Sequence, residues 1–138
     1  MFGKIFNFKR FHNNKERNRY LFALEYNSNK KNNFCPINIK RIFFIKENSK
    51  KIRGNHAHIY CSQLIICLNG SIEITLINKH NKKKKFFLSD KYSQGLLVPP
   101  YNWNILKFKK KNTLIAVLCD YKYDKKSDYI NSFDKFIK

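Results

Sequence analysis

The chain has 138 residues, 29 Lys and Arg against 9 Asp and Glu, a formal charge of +20, and Phe, Tyr and Trp at 16%. That length suits one domain with a real apolar core, and residues 1–138 are expected to form it; no apolar run approaches the roughly 20 residues that cross a bilayer. The charge invites a nucleic-acid partner, but 24 of the 29 cations are Lys and 5 are Arg, whereas base readout favours Arg, and no nucleic-acid-binding motif appears.

The N-terminal stretch from Met1 to Phe11 mixes Phe and Ile with Lys and Arg and has no continuous apolar centre. No secretion signal is read there, and a cytoplasmic protein without a membrane partner is expected. The run from Ile37 to Ile45 reads as a strand. Gln63 to Leu68 and Ser71 to Ile77 flank Asn69-Gly70, a dipeptide that tolerates positive φ and predicts a tight hairpin. Lys82 to Lys85 suits a solvated hairpin edge, where Lys discourages strand pairing. Strands are further expected over Lys85 to Leu88, Gly95 to Val98 (stopped by Pro99-Pro100), Ile105 to Phe108 and Thr113 to Cys119. Ser127-Asp128 can cap a helix whose Ile130, Phe133 and Ile137 form one apolar stripe. Cys35, Cys61, Cys67 and Cys119 show no C-x-x-C spacing and read as reduced, mostly packed thiols. Short strands without intervening helices predict an antiparallel sandwich or barrel, with a jelly roll among the options and a short C-terminal helix packed on it.

Arg53-Gly54-Asn55-His56-Ala57-His58 carries the chemistry. On a strand, residues i and i+2 face the same side, so both imidazoles enter one interior. Such a pair suits either a metal site or acid–base work on a ligand.

The spacing can be laid on the two motifs of metal-binding cupins. Gly54, His56, His58 and Gly70 fit the first motif, and Gly95 and Pro99 fit the second. Gln63 stands where the anionic ligand belongs and Asn104 where the third imidazole belongs. Two good ligands are too few for a stable zinc or iron site. The frame therefore resembles a cupin that has given up its metal.

Three stretches sharpen the resemblance. They are Ile39 to Ile45, Arg53 to His58 and Gln63 to Ser71, continued by Gly95-Leu96, Pro99, Trp103 and Asp128-Tyr129-Ile130. From Asn38 onward the chain resembles the WxcM-like sugar 3,4-ketoisomerases. The resemblance implies a cupin, jelly-roll antiparallel β-barrel that works without metal or organic cofactor. It implies a homodimer acting on dTDP-4-keto-6-deoxyglucose, whose 3-keto product feeds 3-amino-3,6-dideoxyhexoses of surface glycans.

By that resemblance His56 is the base at C3, and His58 relays the proton to C4 or orients its neighbour. Gln63, Asn104 and Arg53 are candidate donors to an enediolate or to the sugar. Arg41 suits pyrophosphate or thymine oxygens. Trp103 either stacks on the ligand or fills the barrel, and Phe43 lines the site where the family has Tyr. Around Glu16 to Leu21 the family register is not evident, and Asn104 replaces a frequent His. A 3,5-epimerase, a metal-dependent cupin and a non-catalytic module for anionic ligands are the competing readings.

Overall fold

The computed structural model describes residues 2–10, 21–26 and 35–138. Among these residues, ten strands form two five-stranded antiparallel sheets. The first contains β1 (Lys4–Asn7), β7 (Gln94–Val98), β4 (Gln63–Asn69), β9 (Thr113–Cys119) and β2 (Arg41–Glu47), in that order. The second contains β10 (Tyr129–Ile130), β3 (Ile52–His58), β8 (Trp103–Phe108), β5 (Ser71–Ile77) and β6 (Lys83–Ser89). Two short helices, α1 (Lys125–Asp128) and α2 (Phe133–Ile137), flank β10.

The sheets stack through alternate residues of each strand, as period-2 burial requires. Ile65, Leu96, Ile115 and Val117 of the first sheet meet Ile72, Ile74, Leu76, Leu88, Leu106 and Phe108 of the second. The outer face of the first sheet is covered by Phe8, Phe22, Leu24, Cys35 and Ile37, against Leu64, Ile66, Ala116 and Leu118. The outer face of the second is sealed at one end by α2, which packs Phe133, Phe136 and Ile137 on Ala57, Ile77 and Trp103. The architecture is a jelly roll of two sheets and, among the described residues, not a hydrogen-bonded closed barrel.

Several sequence expectations change in detail. Asn69-Gly70 is not a hairpin: β4 pairs with β7 and β9, whereas β5 pairs with β6 and β8. The chain instead turns a corner from one sheet into the other. Gly70 has φ +85°, and a Cβ there would collide with the Thr113 hydroxyl, so the corner demands glycine. The β2 strand begins at Arg41, because Ile37 and Ile39 leave the ladder to cover the outer face. β1 was not foreseen; its four residues, Lys-Ile-Phe-Asn, are too few to show a period. Ser127-Asp128 caps nothing. Asp124 caps α1 and Ser132 caps α2, while Tyr129 and Ile130 pair with His58 and Ala57 as a two-residue strand. The lysine run does form an exposed edge, since β6 ends its sheet and Lys83, Lys84 and Lys85 point to solvent. All four cysteines are free and buried.

Candidate active site

A pocket of about 320 Å³ opens between the sheets. The first sheet contributes Arg41, Phe43, Ile45, Gln63, Ile65 and Val117; the second contributes Arg53, Gly54, His56, Asn104, Leu106 and Tyr129. Its lining joins apolar core side chains to two guanidinium groups, two buried amides and an imidazole, the pattern of a site that orients a polar ligand.

A bulge sets the histidines. Arg53 pairs with Leu106 and Gly54 with Ile105, but His56, not Asn55, pairs with Asn104. One extra residue shifts the alternation by one. Without it, Arg53 and Asn55 would share the inner face and His56 would point outward. With it, Arg53, His56 and His58 face inward, and Ala57 turns toward α2. The bulge uses positive φ at Gly54 (+90°) and Asn55 (+59°). A Cβ on Gly54 would lie 2.6 Å from Asn104 Oδ1 and 2.7 Å from the Asn104 carbonyl.

The two imidazoles meet edge to face, with Nε2 atoms 3.2 Å apart. His56 lines the pocket, while His58 lies behind it at 4% exposure. His58 Nδ1 stands 2.7 Å from Asp128 Oδ2, and its Nε2 is 3.3 Å from Gln63 Nε2. Asp128 Oδ1 accepts the backbone N–H groups of Ile59 (3.1 Å), Tyr60 (2.7 Å) and Cys61 (3.2 Å). Burial pushes the Asp128 carboxyl up, but the His58 contact and the Tyr60 and Cys61 amides outweigh it and hold it below the ordinary carboxylate value. Burial, reinforced by the neighbouring His58, lowers His56 below the usual imidazole value, against the opposing effects of the Gly54 backbone and Asp128. His56 is therefore neutral near pH 7, the state a base requires.

Tyr129 packs on both rings, with centroids 5.0 Å from His56 and 4.4 Å from His58. Burial raises its phenol, although a hydrogen bond with Arg41 opposes that, so the O–H stays a donor. The Arg41 guanidinium lies over the Phe43 ring (4.7 Å) and the Tyr123 ring (4.8 Å), which hold it at the pocket wall. Asn104 Nδ2 donates to the His56 carbonyl at 3.0 Å, fixing the bulge, and the residue also lines the pocket.

His56, Arg41, Arg53, Gln63, Asn104 and Phe43 all come together at the pocket. His58 joins them through His56. Trp103 does not: it lies on the outer face, 5.3 Å from the Phe133 ring and 5.8 Å from Phe136, because it neighbours the inward Asn104 and must point the other way. The Glu16 to Leu21 run falls outside the described residues except for Leu21. Sequence reasoning gave no place in the site to Asp128, which it offered as part of a helix cap, or to Tyr129. The Asp-Tyr-Ile element was visible, but the partner of Asp128 lies 70 residues away.

His58, Cys61 and Asp128 place possible ligand atoms within 4.8 Å of one another. Those groups already serve one another: the carboxylate is taken up by His58 and three amides, and the Cys61 thiol donates to the Ser62 carbonyl. Elsewhere in the core, burial raises the Cys35 thiol and pushes Cys67 up to about 11, whereas the hydrogen bond with Cys61 lowers Cys119.

A family profile described as FdtA, WxcM-like, C-terminal, matches residues 4–138. A TDP-4-oxo-6-deoxy-alpha-D-glucose-3,4-oxoisomerase of Aneurinibacillus thermoaerophilus is 32% identical over 139 residues, covering 100% of this chain and 92% of that protein. The solved structure of WlaRA, a TDP-fucose-3,4-ketoisomerase from Campylobacter jejuni, aligns with a TM-score of 0.80 at 31% identity, over 99% of this chain and 94% of that one. QdtA, a sugar 3,4-ketoisomerase from Thermoanaerobacterium thermosaccharolyticum solved with TDP, aligns with a TM-score of 0.81 at 29% identity, over 98% and 91%.

Proposed function

The chain belongs to the FdtA family of WxcM-like proteins, and on that premise we propose that it is a sugar-nucleotide 3,4-ketoisomerase. Its substrate is dTDP-4-keto-6-deoxyglucose and its product a dTDP-3-keto-6-deoxyhexose, the precursor of a 3-amino-3,6-dideoxyhexose. It works as one catalytic domain, in a cytoplasmic homodimer. The free, buried thiols suit a reducing compartment. The observation that carries the reading is His56: a neutral imidazole facing the pocket, with a second imidazole 3.2 Å behind it.

His56 removes the proton at C3, which the neighbouring C4 carbonyl acidifies. The electron pair of the C3–H bond forms the C3=C4 double bond, and O4 carries the negative charge. The O3 hydroxyl proton passes to O4, the imidazole pair returns a proton to C4, and the carbonyl closes at C3. The enediolate charge is met by Arg53 and by the Gln63 and Asn104 amides at the wall, and the Tyr129 O–H adds a donor. Arg41, braced by two aromatic rings, takes the pyrophosphate. Every step is a proton transfer, two of them through the imidazoles and one between the two sugar oxygens.

The test is incubation with dTDP-4-keto-6-deoxyglucose, coupled to a 3-aminotransferase that traps the 3-keto product. A 3-amino sugar nucleotide is expected. Recovery of unchanged substrate, or of a sugar epimerised at C3 and C5 with its carbonyl still at C4, overturns the reading.

A further inference from the structure

We propose that Asp128 is a positioning residue that turns His58 into the proton store behind His56. This rests on the ketoisomerase reading, because it assigns the route of the proton that His56 takes.

The two oxygens of Asp128 do different work. Oδ1 holds three backbone amides of residues 59–61 and ties that turn to the C-terminal segment. Oδ2 faces, among the described residues, His58 Nδ1 alone, at 2.7 Å. The carboxyl is 1% exposed and stays ionised, so it can only accept there. The His58 proton is therefore fixed on Nδ1, and Nε2 presents a lone pair. That lone pair faces His56 Nε2 at 3.2 Å and the Gln63 amide at 3.3 Å. A proton arriving on His56 can pass across the 3.2 Å gap, leaving an imidazolium on His58.

A buried imidazolium without a counter-charge would be costly. The ionisable groups around it are His56 on its own strand, Tyr129 on β10, Cys61 in the following turn and Asp128 at the end of α1. Gln63 and Cys119 close the side toward the first sheet, and Arg41 lies beyond Tyr129. Of these, Asp128 supplies negative charge in direct contact with the ring. The pocket thus keeps its base neutral at His56, while the positive charge produced in the reaction settles one ring deeper.

Asp128→Asn separates the two oxygens. The carboxamide oxygen can keep the three amides, but the NH₂ then faces His58 Nδ1 as a donor. His58 is forced into the opposite tautomer, with its proton on Nε2 and no lone pair toward His56. The first measurement is ¹⁵N NMR of the imidazoles in the wild-type protein without substrate. Nδ1–H at His58 is expected, and Nε2–H there overturns the proposal. In the Asn variant the tautomer should invert, kcat should fall roughly 10²- to 10⁴-fold, and KM should change little. The acid limb of the kcat profile should move to lower pH, since loss of the carboxylate weakens proton binding by the pair. An Asn variant that folds and keeps near-normal kcat also overturns the proposal. If that variant does not fold, the wild-type tautomer decides. If the wild-type protein turns over no sugar nucleotide, the ketoisomerase reading falls, whereas the NMR result still judges the role of Asp128 on its own.

Discussion

The β3–β8 pair has two faces that share every backbone atom and almost nothing else. Inward it presents Arg53, His56, His58 and Asn104 to a pocket and a hydrogen-bond chain. Outward it presents Ala57, Trp103 and Ile105 to α2, in a cluster without a charged side chain. Residues adjacent in sequence, His56 with Ala57 and Trp103 with Asn104, therefore belong to different physical problems. One face combines burial with perturbed titration and a hydrogen-bond chain, and the other combines it with apolar contact. Chemistry and stability can thus be altered separately in the same two strands.

The largest effect should come from removing the proposed base while leaving the outer face alone. His56→Asn should cut kcat by about 10³-fold, equivalent to about 4 kcal/mol of barrier, within the range for a general base. Its thermal midpoint should stay near that of wild type. A variant with near-normal kcat would remove His56 from the role of base. The converse experiment is Phe136→Ala. Phe136 is 1% exposed between Trp103, Ile130 and Phe133, and truncation should cost about 3 kcal/mol of folding stability by cavity formation. Activity per folded molecule, measured well below the new midpoint, should remain near wild type. Equal loss in both quantities would show that the two faces are not separable.

Much of this was legible in the sequence. Seven of the strands follow runs of β-branched and aromatic residues, and the Arg-Gly-x-His-Ala-His element points to the imidazole pair that the structure sets at the pocket. The losses have physical causes. A tight Asn-Gly turn looks the same whether the next strand pairs back or crosses to the other sheet; only long-range pairing of β4 with β9 and of β5 with β8 decides. Trp103 was offered to the ligand because one residue in a strand cannot be assigned a face without its register. Ser127-Asp128 resembled a helix cap because the side chain that holds Asp128 is His58, far away in sequence.

The bulge is the hinge of the whole comparison, since it decides which residues of β3 belong to which face. Gly54→Ala should therefore disturb both. The new Cβ meets Asn104 Oδ1 and the Asn104 carbonyl, at a φ that L residues rarely adopt. A stability loss of about 1–3 kcal/mol is expected, with a fall in kcat beyond what unfolding explains, because His56 loses its seat. Circular dichroism melts with single-turnover rates on the same sample separate the two. An Ala variant with wild-type kcat would mean that the pocket does not depend on the bulge.

The smallest effect is the pH dependence of stability, and it also divides by group. His56 is depressed in the folded chain, so on acidification the unfolded chain takes up its proton first. Stability is then lost as pH falls from about 6.5, the ordinary imidazole value, toward the lower folded value. Asp128 is also depressed, but its contribution is complete above the ordinary carboxylate value of about 3.9 and disappears as pH falls through its own folded value. The two losses have the same sign and occupy different windows. Thermal midpoints between pH 7.5 and 5 should therefore fall less in His56→Asn than in the wild-type protein, while below pH 4 both should fall together. A midpoint curve unchanged by His56→Asn across the upper window would mean that the imidazole facing the pocket is as well solvated as in the unfolded chain, and the distinction between a neutral base in front and a charge store behind would lose its electrostatic basis.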